Sequence, residues 1–129
     1  MPYQQRTEGL DEFRRELAAL PDKILDEGER IAGKAGINIK RGAQKRVRTE
    51  RWAHLPHLAR SFSYDVTKNQ RIIRLEAGAD MEKLQGKLDI YVDQGTANNP
   101  PNHHWGRSFD EELPKFERYA EEFLARLVQ

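Results

Sequence analysis

Between residues 21 and 48 the apolar positions fall on one broad face of a single long helix. In PDKILDEGERIAGKAGINIKRGAQKRVR, at roughly 100° per residue, Ile24, Leu25, Gly28, Ile31, Ala32, Ala35, Gly36, Ile39, Gly42 and Ala43 group together. A second face is a basic stripe of Lys23, Arg30, Lys34, Arg41, Lys45 and Arg48, broken mainly by Glu27. Gly28, Gly33, Gly36 and Gly42 each weaken a helix by about 1 kcal/mol relative to Ala. Close backbone approach to a sheet or a neighbouring subunit is therefore expected along this helix. Pro21 suits its first turn, with Asp22 at its positive end.

Upstream, Leu10, Phe13, Leu17 and Leu20 recur at 3-4-3 spacing, which predicts an amphipathic helix over 10–20. Residues 1–8 read as a flexible arm. Downstream, the segment around Pro56 is a connector, and the period then changes to two. Phe62, Tyr64 and Val66 alternate with Ser61, Ser63 and Asp65, which predicts a strand. TKNQ reads as a turn. RIIRLEA reads as a second strand with Ile73, Leu75 and Ala77 on one face, closing a hairpin with a loop of about four residues.

GADMEKLQG fits either a short helical turn or a loop closed by Gly86. In LDIYV, Leu88, Ile90 and Val92 alternate against Asp89, Tyr91 and Asp93, which predicts a third strand. Residues 94–107, rich in Pro, Gly, Asn and His, read as a long exposed loop. A last helix is expected over 108–129, with Ser108 and Glu111 at capping-box spacing and a kink or broken turn at Pro114. The order predicts one α+β domain over 1–129: long N-terminal helices and a C-terminal helix packed on a small antiparallel sheet.

The totals narrow the class. With 37% hydrophobic and 33% charged residues but a net charge of only +1, the charges cancel, and the chain reads as folded rather than disordered. That balance also argues against a free-standing nucleic-acid binder. The charges are nevertheless segregated. Residues 34–60 hold eight Lys/Arg against the single acid Glu50, whereas residues 108–129 hold six acids against Lys115, Arg118 and Arg126. A basic middle and an acidic tail can pair within one chain or between copies. There is no cysteine, which excludes disulfides and thiolate chemistry. No run approaches the roughly 20 apolar residues of a membrane helix, and the N-terminus lacks a signal-peptide core. The expected protein is soluble and used without export or membrane contact.

Candidate chemistry is sparse. His54 and His57 have a usable ligand spacing, and His103 and His104 are the other histidines, but adjacent rings do not easily aim at one ion. Ser61 and Ser63 have no nucleophile-elbow context, and no phosphate-binding glycine loop is present. No catalytic residues, cofactor or metal are assigned, and an enzyme is not expected. The basic stripe is the main functional feature. Its run from Lys23 to Arg48 spans about 37 Å of helix, enough to follow a phosphate backbone without reading sequence. Lys34, Arg41, Lys45 and Arg48 are the candidate DNA-facing or interface residues. Ile37, Trp52 and Trp105 lie outside the core pattern and are candidate interface residues.

Five further features form a pattern: Leu20-Pro21 closing a first helix, a long basic helix, the run Leu58-Ala59-Arg60-Ser61-Phe62, the run Tyr91-Val92-Asp93-Gln94-Gly95-Thr96, and Pro100-Pro101 before a final helix. From Leu10 onward this resembles the small head–tail joining proteins of long-tailed bacteriophages, described as neck, tail-completion or tail-component proteins. Leu58, Ser61, Asp93, Gly95 and Thr96 carry the motif. Pro56-His57 stands where the family often has Thr-Gly, and Asp93 where Glu is commoner.

The resemblance implies a virion structural subunit, assembled in the host cytoplasm. It would form a ring, of which a hexamer is the suggested form, in the connector that joins the DNA-filled head to the tail and lets DNA pass. Its implied partners are further copies of itself, adjacent connector and tail proteins, and DNA in the lumen. The alternative reading is a sequence-independent nucleic-acid-binding protein using the basic stripe. A metal-dependent enzyme using His54, His57, His103 and His104 is the third.

Overall fold

The computed structural model describes residues 22–49, 52, 54–69, 72–83 and 85–127. The expected arm and first amphipathic helix lie outside the described residues. The long helix, α1 (Asp22–Thr49), follows the expected span. Its buried positions are Leu25, Gly28, Ile31, Ala32, Ala35, Gly36, Ile39, Ala43 and Val47, the apolar face read from the sequence extended by one turn.

A 3₁₀ turn at Ala59–Ser61 leads into β1 (Phe62–Asn69), which pairs antiparallel with β2 (Ile72–Ala79). The register runs from Phe62 opposite Ala79 to Asn69 opposite Ile72. The hairpin is therefore tighter than expected. Thr67, Lys68 and Asn69 continue the strand, and only positions 70–71 separate the paired ends. Phe62, Tyr64 and Val66 turn toward α1 while Ser63, Asp65 and Thr67 are exposed, so the period-two reading holds.

The expected third strand is absent. Residues 86–88 form a 3₁₀ turn, and the next six form α2 (Asp89–Gln94). The alternation of Leu88, Ile90 and Val92 misled because only Val92 of the three is buried: Leu88 lies in the 3₁₀ turn at 41% exposure, and helical spacing turns Val92 inward with Asp89 and Asp93. The inward face of α2 is Asp89, Val92 and Asp93, and Ile90 and Tyr91 are 56% and 60% exposed. Buried hydrogen bonds to the two carboxylates outweigh burial of the two apolar side chains.

The expected loop over 94–107 is also shorter. Gln94 belongs to α2, and the last helix, α3 (His104–Leu127), begins four residues before Ser108. Ser108 is thus an interior helical residue and not a cap. The helix runs on through Pro114.

Two apolar clusters hold the layers. Ile39, Ala43, Val47, Leu58, Phe62, Val92 and Trp105 form the larger, at one end of α1. Leu25, Ile31 and Phe123 form the smaller, at the other end. Helices α1 and α3 run antiparallel along each other, so Gly42 meets Ser108, Asn38 meets Glu112, and Leu25 meets Phe123. The sheet packs on another side of α1. A Cβ at Gly36 would stand 2.5 Å from a ring carbon of Tyr64 and 2.8 Å from a methyl of Leu75. Close approach therefore explains Gly36, and at Gly42 the Ser108 hydroxyl would lie at 3.0 Å. It does not explain Gly33, which has nothing within 4 Å.

Candidate functional site

Two regions stand out: a buried polar knot where α2 meets the start of α3, and the exposed basic side of α1. The knot begins with Asp89 and Asp93, four apart and so on one face of α2. The Oδ1 of Asp89 lies 2.7 Å from Nε2 of His104, and its Oδ2 accepts from the Trp105 indole N–H at 2.8 Å. The Oδ1 of Asp93 accepts from the backbone N–H of Trp105 at 3.2 Å, and its Oδ2 from Gln94 Nε2 at 2.7 Å. Asp93 thereby caps α3, the role expected of Ser108. Every carboxylate oxygen of the pair meets a donor, which is what makes their burial tolerable.

The histidine is fixed from all sides. The side-chain nitrogen of Asn102 stands 2.9 Å from His104 Nδ1, with Asp93 Oδ1 3.5 Å from the same ring nitrogen, while Nε2 faces Asp89. Phe62 stacks on the ring at 5.3 Å and 10°. The backbone adds its own links, from Asn102 N–H to Val92 C=O and from His103 N–H to Asp93 C=O, each 3.0 Å. His103 takes a positive φ of 51° where the chain enters α3.

His104 is 0% exposed. The Ser61 hydroxyl is taken up by Leu58 C=O at 2.6 Å. Among the described residues no group of three or more His, Asp and Glu is placed to hold a metal ion. His54, His57 and His103 are exposed, whereas His104 is in the core.

The motif residues gather at or beside this knot. Leu58 is fully buried in the larger cluster with Val92 and Trp105, and Ser61, the last residue of the turn before β1, donates its hydroxyl back to Leu58 C=O. Asp93 caps α3. Gly95 ends α2 at φ 84°, where a Cβ would stand 2.7 Å from Pro101 N. Thr96 is exposed and bridges Asn99. Trp105 is 3% exposed and belongs to the core, so it is not an interface residue in an open loop. Trp52 is half-buried against the same cluster, and Ile37 is half-buried on α1.

Asp89, Asn102 and His104 were missed as a unit. The recoverable signal was the pair of acids four apart, which a strand reading places on the same face but a helix reading brings onto one turn.

On α1, Lys34, Arg41, Lys45 and Arg48 are all exposed. Lys34 lies over the Tyr119 ring at 5.0 Å. Arg46 is turned inward and joins α1 to α3, donating to Ser108 Oγ at 2.8 Å and to Glu111 at 2.5 Å. That bond, first, and the guanidinium charge hold the Glu111 carboxyl below its usual range, with Lys115 and Lys45 adding to it. Asn38 secures Glu112 at 3.0 Å. Among the described residues, no helix is long and apolar enough to cross a membrane. No protein-family model, curated protein or solved structure matches this chain.

Proposed function

We propose that this protein is a structural subunit of a phage head–tail connector, forming a neck, tail-completion or tail-terminator ring through which DNA passes. The observation that carries the reading is where the motif residues lie. The local pair Leu58 and Ser61 and the local pair Asp93 and Gly95, from two separate segments of the chain, serve the joint between the sheet, α2 and α3. A motif of this kind specifies a fold and leaves the surface to do the work, as a building block requires. The surface offers charge and apolar contact: the basic side of α1, and Met81, Leu88, Ile90 and Tyr91, which are 41% to 60% exposed.

A ring uses a head-to-tail interface that closes by rotation. Negative-stain imaging of the purified protein tests this. Closed rings with a central opening are expected, and a strictly monomeric protein that joins neither heads nor tails contradicts it.

The second reading, sequence-independent nucleic-acid binding, rests on the exposure of Lys34, Arg41, Lys45 and Arg48 along one helix. It leaves the acidic outer side of α3 without a role.

A further inference from the structure

We infer that the ring interface is electrostatic and self-complementary: the outer basic side of α1 on one copy meets the outer acidic side of α3 on the next. This rests on the ring reading above. Residues 31–49 of α1 include six bases and no acid. Arg46 is used within the subunit, while Arg41, Lys45 and Arg48 are exposed on the side of α1 opposite its buried face.

On α3 the acids divide in the same way. Glu111 is committed to Arg46 and Glu112 to Asn38. At about 100° per residue, Asp110, Glu117 and Glu121 lie together on the side of α3 opposite Ser108 and Glu112, which face α1. Asp110 and Glu121 are exposed and Glu117 is half-buried. Lys45 also lies near enough to Glu111 to help hold that carboxyl down, but Arg41, Lys45 and Arg48 form no ion pair with Asp110, Glu117 or Glu121. Among the described residues neither set makes an ion pair.

The occupant of the basic side is a second copy because the chain itself carries the complement. With 22 bases and 21 acids, a head-to-tail assembly balances each charged side against the next subunit. A polyanion would neutralise one side and leave the other repelling it. Exposed pairs are individually weak and screened by salt, so they set orientation and partner choice, and the assembly loosens as ionic strength rises.

The test uses three full-length proteins and their mass in solution: wild type, Arg41→Glu/Lys45→Glu/Arg48→Glu, and Asp110→Lys/Glu117→Lys/Glu121→Lys. Circular dichroism checks the fold of each. Wild type is expected to assemble after nuclease treatment. Each reversed variant alone is expected to lose at least about tenfold in assembled fraction at fixed concentration, and an equal mixture of the two to regain it. If a variant fails to fold, raising salt on the wild type from about 0.05 to 0.5 M supplies the same readout, and assembly must weaken. Assembly of wild type with no effect of reversal or salt overturns this interface while leaving the ring reading in place. Assembly that vanishes on nuclease treatment also overturns it, in favour of a nucleic-acid occupant. Wild type that is monomeric throughout overturns the ring reading and this interface with it.

Discussion

His104 Nε2 stands 2.7 Å from Asp89 Oδ1, and this contact ties the first turn of α3 to the first turn of α2. The same carboxylate holds the Trp105 indole. Replacing Asp89 by Ala removes both acceptors and leaves two buried donors without partners. A loss of about 3 kcal/mol is expected, read as a lower urea midpoint. Asp89→Asn keeps one acceptor and is expected to lose less.

Three glycines are expected to answer differently to the same change. Gly33→Ala meets open space in the middle of α1 and should stabilise by about 0.5–1 kcal/mol. Gly95→Ala places a side chain at φ 84° against Pro101 and should destabilise by about 1–3 kcal/mol. Gly86→Ala sets a Cβ against the Asp80 carbonyl, which is backbone and cannot swing aside, so it should also destabilise. Thermal unfolding of the three variants checks the order.

The pair Arg46–Glu111 makes part of the stability depend on pH. Its Glu111 carboxyl is held down when folded, chiefly by the hydrogen bond from Arg46. The unfolded chain therefore takes up this proton first as pH falls. The contribution is complete above the ordinary carboxylate range and is lost as pH falls through the lower folded value. Glu111 is 62% exposed, so the effect is small, under about 1 kcal/mol at neutral pH. Urea unfolding of Glu111→Gln against wild type should show a gap at neutral pH that closes in acid.

Much of the fold was legible wherever one periodicity dominated. The face of α1, from Leu25 to Val47, runs through about six turns, and Phe62, Tyr64 and Val66 leave no competing pattern. Legibility failed in short windows. LDIYV satisfies both periods, and the decision between them lies in Asp89 and Asp93 finding donors on His104 and Trp105, more than ten residues away. The helix start moved for the same reason. Ser108 and Glu111 have cap spacing, but Asp93 reaches the helix end first and Arg46 draws both into the seam with α1. The basic stripe was legible because exposure on a helix follows from spacing alone. What meets the stripe was not, because a partner of any kind leaves no mark on periodicity.

The nucleic-acid reading makes a distinct prediction. If the stripe follows a phosphate backbone, duplex binding falls steeply with salt and drops on Arg41→Glu/Lys45→Glu, equally for unrelated sequences. The assembly account expects weak duplex binding, with no preference for sequence. Filter binding at two salt concentrations separates them.

The central claim is that this chain is a ring-forming building block. Native mass spectrometry of the nuclease-treated wild-type protein tests it most directly. The account predicts a single closed homo-oligomer, with a hexamer as the form the resemblance suggests. A monomer at every concentration measured would contradict it.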